Sequence, residues 1–196
     1  MTQLLLETIK IHNGQPQFLT YHQQRFDHTR RNLWQCHDRI DLADLLQDIP
    51  SDGIYRCRIL YHQQIERVEY IPYISRNFRN FKLITDDQIS YEYKFLQRDQ
   101  LQQHFECRAE ADDILIVKQG RITDTSIANV AFFDKNQWIT PEFPLLHGTT
   151  RQRLLQEGRI KARDIRVAEV AKFSQMALLN AMLEFYVIDQ FVIYPS

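Results

Sequence analysis

Long hydrophobic runs are missing from this chain. No apolar stretch approaches the roughly 20 residues needed to span a bilayer, so a membrane helix is not expected. The opening MTQLLLETIK has too short an apolar run, with an acid just after it, for a secretory signal. Net charge is nearly absent as well: 24 Lys and Arg against 25 Asp and Glu leave −1. That excludes a global basic field recruiting nucleic acid or a membrane surface. Cysteine is scarce. The three residues, Cys36, Cys57 and Cys107, are an odd number without metal-type spacing, which argues for free thiols in a reducing cytoplasm. The histidines, His104 and His147 among them, show no ligand spacing, so no metal is expected. Neither an internal repeat nor a low-complexity linker is visible. What is present is ordinary: 196 residues with 44% hydrophobic content, enough for a core in one unit or two small lobes.

The first half reads as short strands with a helix. Leu4 to Ile11 has strand character, and Asn13-Gly14 between apolar runs is a hairpin signal leading to Gln17 to Thr20. Tyr21 to Trp34 has helical character, with Arg25 near one face alongside Thr29 and Leu33. Asp41 to Ile49 reads as a short helix ended by Pro50. Ile54 to Leu60 and Ile65 to Tyr73 alternate as strands do, placing Arg56 and Arg58 on one sheet face. Two arginines so placed either pair with acids or face an anionic ligand. Asn80 to Thr85 is a further strand. The expected N-terminal lobe, residues 1–88, is thus α+β and mostly antiparallel, because its connections are too short for helical crossovers.

The second half, residues 89–196, is organised around Gly120 to Arg151. Asp112 to Lys118 reads as a strand bounded by Gly120, followed by Ile122 to Phe133 with Asp124, Ser126 and Ala128 on one expected face. Trp138 to Thr140 is another strand, closed by Pro141. His147-Gly148-Thr149-Thr150-Arg151 then opens a helix that stops at Gly158. Free backbone N–H groups, two hydroxyls and the positive helix end make that start a candidate anion site, although a simple capped helix has the same local sequence. Ile165 to Val170, a helix-like Lys172 to Leu179 and a strand Tyr186 to Tyr194 are expected to finish the chain.

The order of these pieces resembles the class IV aminotransferases, a pyridoxal-phosphate group that includes branched-chain and D-amino-acid aminotransferases and aminodeoxychorismate lyase. The family pattern G-x-(I/V)-x-(E/D)-x-x-x-x-N, then TP, then L-x-G-x-T-R, is matched from Gly120 to Arg151. LLETIKI, His22-Gln-Gln-Arg25 and Tyr93-Lys94 extend the match over most of the chain. The resemblance implies a two-lobed α+β fold, a pyridoxal phosphate cofactor, an amino substrate and a homodimer. It implies that Lys94 carries the cofactor as a Schiff base and that Asp124 faces the ring nitrogen, with Asn129 five residues on. Arg25, Thr149, Thr150 and Asn180 would hold the phosphate. Departures are few: aspartate stands where glutamate is commoner, Asn180 where threonine is frequent, and the chain is short for the family.

These implications are compatible with the residues' own chemistry. A guanidinium can meet two phosphate oxygens at once. Apolar neighbours Tyr93, Phe95 and Leu96 would lower an amine's pKa and make Lys94 a better nucleophile. Arg98, four positions after Lys94, matches the lyase branch of the family. The leading expectation is an aminotransferase or aminodeoxychorismate lyase-like enzyme. The alternative is a non-catalytic or regulatory homologue that binds the cofactor, and the third reading is an α+β binding protein without one.

Overall fold

The computed structural model describes residues 3–195, and the chain divides into two compact units. The first runs to Ser75 and also takes in Tyr93–Gln97; the second is Arg76–Glu92 and the chain from Arg98 onward.

In the first unit, β1 (Leu5–His12) alternates strictly, burying Leu5, Glu7, Ile9 and Ile11 while Leu6, Thr8 and Lys10 are half-buried. Asn13 and Gly14, both at positive φ, turn the chain into β2 (Gln15–Pro16). Helix α1 (Leu19–Trp34) buries His22, Phe26, Thr29 and Arg30, the spacing of one helical face. Helix α2 (Leu42–Leu45) is capped by the Asp41 carboxylate, which accepts from Ala43 N. It is much shorter than the expected helix to Ile49, because Leu46 already leaves the helical region at φ −84 and ψ 83 and Asp48 then takes a positive φ. Strands β3 (Ile54–Tyr61) and β4 (Ile65–Pro72) complete an antiparallel sheet in the order β2-β1-β3-β4. Leu5, Ile9, Ile11, Phe26, Cys57 and Ile59 form its core.

The return of Tyr93–Gln97 places the candidate lysine. Leu6 N donates to Lys94 O at 2.9 Å and Leu96 N to Leu4 O at 2.9 Å, with Leu5 opposite Phe95 in an antiparallel bridge. The start of β1 therefore has β3 on one side and this short segment on the other. Lys94 owes its position to a strand edge, not to a loop.

The second unit is built on a mixed sheet. Strand β5 (Asn80–Thr85) runs parallel to β6 (Asp113–Lys118), and α3 (Asp99–Glu106) lies in the connection between them. Asn80 to Thr85, expected in the first lobe, thus pairs in the second unit's sheet. The sequence from 86 to 112 is long enough for the crossover a parallel pair requires. A tight turn at Gln119 and Gly120, both at positive φ, leads into β7 (Arg121–Thr125), and then follow β8 (Asn129–Phe133) and β9 (Trp138–Pro141). Helix α4 (Thr149–Gln156) connects β9 to β10 (Ile160–Arg163), which is parallel to β9.

After a 3-10 helix at Val167–Lys172, β11 (Gln175–Asn180) pairs with both β8 and β12 (Glu184–Ile188), and β13 (Val192–Tyr194) returns beside β5. Two expectations change here. Gln175–Asn180 is a strand, not a helix, because Met-Ala-Leu-Leu is buried on both faces between two partner strands and so lacks strand alternation. The expected single strand Tyr186 to Tyr194 is two, split at Asp189 to Phe191. Val130, Phe132, Met176 and Leu178 anchor one core, and Ala131, Leu154, Ala177 and Leu179 seat α4 on the sheet.

Candidate active site

The first unit places two side chains of α1, His22 and Arg25, on one buried acid, Glu7. Glu7 is fully buried on the core face of β1, where its neighbours in alternation are Leu5 and Ile9. A lone carboxylate there would be very unfavourable, and α1 supplies its partners. Arg25 donates from Nε to Oε1 at 2.8 Å and from Nη2 to Oε2 at 2.7 Å. His22 Nδ1 lies 2.7 Å from Oε2, so the proton is assigned to Nδ1. Burial alone would raise the Glu7 carboxyl, but Arg25 and His22 outweigh it and hold it at about 2. Burial keeps His22 below the usual imidazole value despite Glu7, with the charges of Arg25 and Lys94 acting in the same direction. The histidine is therefore neutral at physiological pH.

The sequence names Arg25 and Lys94 as candidates, and the structure adds Glu7 and His22, which it groups with Arg25. The signal was available: an acid at a buried position of an alternating strand demands a cation, and His-x-x-Arg on the next helix offers two donors on one face.

In the second unit Asp124 is the hub. Strand β7 ends at Thr125, whose hydroxyl accepts from Ala128 N at 3.1 Å and so closes a tight turn into β8. Asp124 and Asn129 thereby become direct cross-strand partners, in place of the expected continuous face of Asp124, Ser126 and Ala128. Asn129 Nδ2 donates to Asp124 Oδ1 at 2.7 Å and to Leu146 O at 2.8 Å. Asp124 Oδ2 accepts from Leu145 N and Leu146 N, each at 2.9 Å. Burial pushes this carboxyl up to about 6, against the lowering effects of Asn129, the Leu145 and Leu146 amides and Arg151.

That framework leads directly to the start of α4. Gly148 is its N-cap, in extended conformation at φ −68 and ψ 143. A Cβ there would collide with Asn129 Oδ1 and lie 3.3 Å from its Cγ, so only glycine fits. Thr149, Thr150 and Arg151 fill the first turn, whose N–H groups have no intrahelical carbonyl to reach. Arg151 is buried and donates Nη2 to Pro141 O at 2.8 Å, while its Nε is a buried donor with no recorded partner among the described residues. Buried N–H donors around a helix start suit an oxyanion.

Two expected residues are engaged otherwise. Asn180 Oδ1 accepts from Met182 N at 3.0 Å and Leu183 N at 2.8 Å, and Nδ2 donates to Ile127 O at 3.3 Å. Its side chain ties the β11–β12 hairpin to the turn after β7. Arg98 is exposed and donates to Ser126 O at 2.9 Å, anchoring that same turn.

Comparison with known proteins places this geometry. Residues 4–191 match the family described as amino-transferase class IV. An uncharacterised protein of Haemophilus influenzae is 34% identical over 183 residues, covering 91% of this chain and 97% of that one. A provisionally named 4-amino-4-deoxychorismate lyase from Haemophilus somnus 129pt superposes with TM-score 0.87 at 36% identity, over 93% of this chain and 97% of that one. Both relatives are matched along nearly their whole length, so they share the short form. The pyridoxal-phosphate-bound form of a hypothetical aminotransferase from Mycobacterium tuberculosis has the same fold, with TM-score 0.80 at 18% identity over 97% of this chain and 81% of that one.

Proposed function

The chain belongs to the class IV aminotransferase family and is a pyridoxal-phosphate-dependent enzyme, and on that premise we propose that it acts on a small amino substrate with Lys94 as its catalytic residue. When bound, pyridoxal phosphate supplies an electron sink that stabilises negative charge at the substrate's α-carbon. The protein's part is to hold that group and to move protons. Lys94 would supply the amine that carries the cofactor and would take or return the proton at the substrate's α-carbon. Thr149 and Thr150, with the backbone N–H groups of the first turn of α4, bind the phosphate, and Arg25 adds a positive charge to it. Asp124 would face the ring nitrogen. Three donors already orient its carboxylate, and a carboxylate has capacity for a fourth.

One observation carries this reading. The acid and the helix start that we propose binds the phosphate belong to a single hydrogen-bonded framework, Asp124 to Asn129 to Leu146, whose carbonyl also accepts from Gly148 N at 2.9 Å. Such a framework fixes the distance between a ring nitrogen's partner and a phosphate's partner, which a rigid cofactor requires and a simple capped helix does not. Asn180 belongs to the reading through its backbone and the hairpin it ties. A homodimer, a cytoplasmic location and a choice between transamination and lyase chemistry belong to the same proposal. The provisional lyase name of the 36%-identical relative favours the lyase.

The test is a visible absorption band on adding pyridoxal phosphate, followed by turnover of an amino-acid panel with 2-oxoglutarate or pyruvate, aminodeoxychorismate included. A band with turnover supports the enzyme, and a band without turnover supports a non-catalytic homologue. Absence of both overturns the proposal.

A further inference from the structure

Arg151 is a cation where a cation is disfavoured. It lies in the first turn of α4, at the positive end of the helix, where an acid is the favoured residue. It is also buried, with 6% of its surface exposed. Nη2 donates to Pro141 O at 2.8 Å, and Nε has no partner among the described residues. Among those residues no carboxylate forms an ion pair with it. A guanidinium so placed is unfavourable unless a negative charge acts on it through the protein.

That charge is Asp124. Burial lowers the guanidinium, and Asp124 opposes the effect; burial raises the carboxyl, and Arg151 opposes that in turn. The groups acting on the carboxylate come from three sides: Asn129 from β8, the Leu145 and Leu146 amides from the loop before α4, and Arg151 from α4 itself. Of these, Arg151 alone carries a charge. Asp113, a buried acid on the adjacent β6, is opposed by Arg76 instead. Glu142 and His147, in the loop, are exposed.

The backbone gives the two charges a common object. Residues 142–147 run from the end of β9 to the N-cap of α4. Arg151 holds the chain at Pro141, just before this loop, while Asp124 Oδ2 holds it at Leu145 N and Leu146 N, each at 2.9 Å. Two buried opposite charges from different elements thus fix the two ends of one loop, and the loop leads into the helix start.

We propose that Arg151 is a positioning residue that acts through Asp124: its buried guanidinium is the countercharge of that carboxylate, and its hydrogen bond to Pro141 fixes the loop whose amides orient it. This rests on the reading that Asp124 serves the ring nitrogen of the cofactor. A partner for a protonated ring must be negative, and Arg151 favours that state before the cofactor arrives. It needs no contact with the cofactor to do so.

Melting of the cofactor-free protein between pH 4 and pH 8 tests the link. Asp124, at about 6 in the fold against 3.8 ordinarily, makes the parent's melting temperature decline from about pH 4 to 6. Arg151→Gln, which keeps a donor for Pro141 O, should extend that decline upward by about one pH unit, because the carboxyl loses the charge that favoured its ionisation. Arg151→Met should extend it equally, with a further drop at every pH from the lost hydrogen bond. Arg151→Lys should keep the parent window, and in an Asp124→Asn background Arg151→Gln should add no pH dependence. Spectral titration with pyridoxal phosphate gives a second readout. Affinity in Arg151→Gln should be about threefold weaker than in the parent at pH 6.5, following the smaller ionised fraction, and should approach the parent by pH 8.5. A loss of melting temperature that is the same at every pH, an affinity gap that does not narrow, or equal behaviour of the Lys and Gln variants overturns the proposal. If the melting window moves as expected but pyridoxal phosphate does not bind the parent, the Arg151–Asp124 link stands and the cofactor reading fails.

Discussion

Arg25 meets Glu7 side-on, its Nε and Nη2 on the two carboxylate oxygens, and the acid is wholly buried while the guanidinium keeps 12% of its surface. The pair is thus open on the arginine side alone. Replacing Glu7 by Gln removes the buried carboxylate that Arg25 meets with two donors, a change worth up to roughly 3–5 kcal/mol. Thermal melting of Glu7→Gln should show that loss at neutral pH.

The same acid sets the behaviour at low pH. Its folded value of about 2 lies below the ordinary 4.5, so its stabilisation is complete above pH 4.5 and is lost as pH falls toward 2. His22, depressed by burial, acts in the same direction at higher pH, because the unfolded chain takes up a proton below about 6.5 that the folded chain refuses. Melting temperature should fall as pH drops from about 4.5 toward 2, and that part of the fall should be missing in Glu7→Gln.

Asp124 has the opposite sign. Its folded value of about 6 lies above the ordinary 3.8, so the unfolded state loses its proton first and stability declines as pH rises from about 4 to 6. A protonated cofactor ring would reverse this by stabilising the carboxylate. The cofactor should therefore protect the protein against heat more at pH 7 than at pH 4.5. Asp124→Asn is expected to retain much of the phosphate-driven binding yet turn over at least tenfold more slowly. Parent-like turnover in that variant would make the acid purely structural.

Gly148→Ala tests the helix start. The new methyl must displace Asn129, which costs about 1–3 kcal/mol and loosens Asp124 together with Leu146. Pyridoxal phosphate affinity should fall more than pyridoxal affinity, as measured by spectral titration, because the phosphate end is the one disturbed.

Lys94 can be identified chemically. Borohydride reduction in the presence of pyridoxal phosphate should leave the label on the peptide containing Tyr93-Lys94-Phe95. Label on Lys82 or Lys118 would reject the assignment.

Much of the second unit was legible because its punctuation is local. Gln119-Gly120, Pro141 and Gly148 mark turns and caps within a few residues of the strands and helix they end, and the class IV spacing runs through the same stretch. The turn after β7 was harder to read, since Thr125 closes it with its own hydroxyl and no glycine or proline marks it. β11 was misread because a strand buried on both faces has no period of two. The placement of Lys94 was illegible for a different reason: Tyr93–Gln97 forms only an isolated bridge, held because β1, some 90 residues earlier, lends it an edge.

That borrowed edge has a consequence for how the protein is made. The first unit cannot be finished when its own four strands have left the ribosome, because its last piece follows β5, which belongs to the other unit. Until residue 97 emerges, the start of β1 keeps an unpaired edge next to a buried glutamate. A nascent chain halted between 75 and 92 would expose that edge to any other strand, and chaperone capture or self-association should peak at those lengths and fall once Leu96 is out.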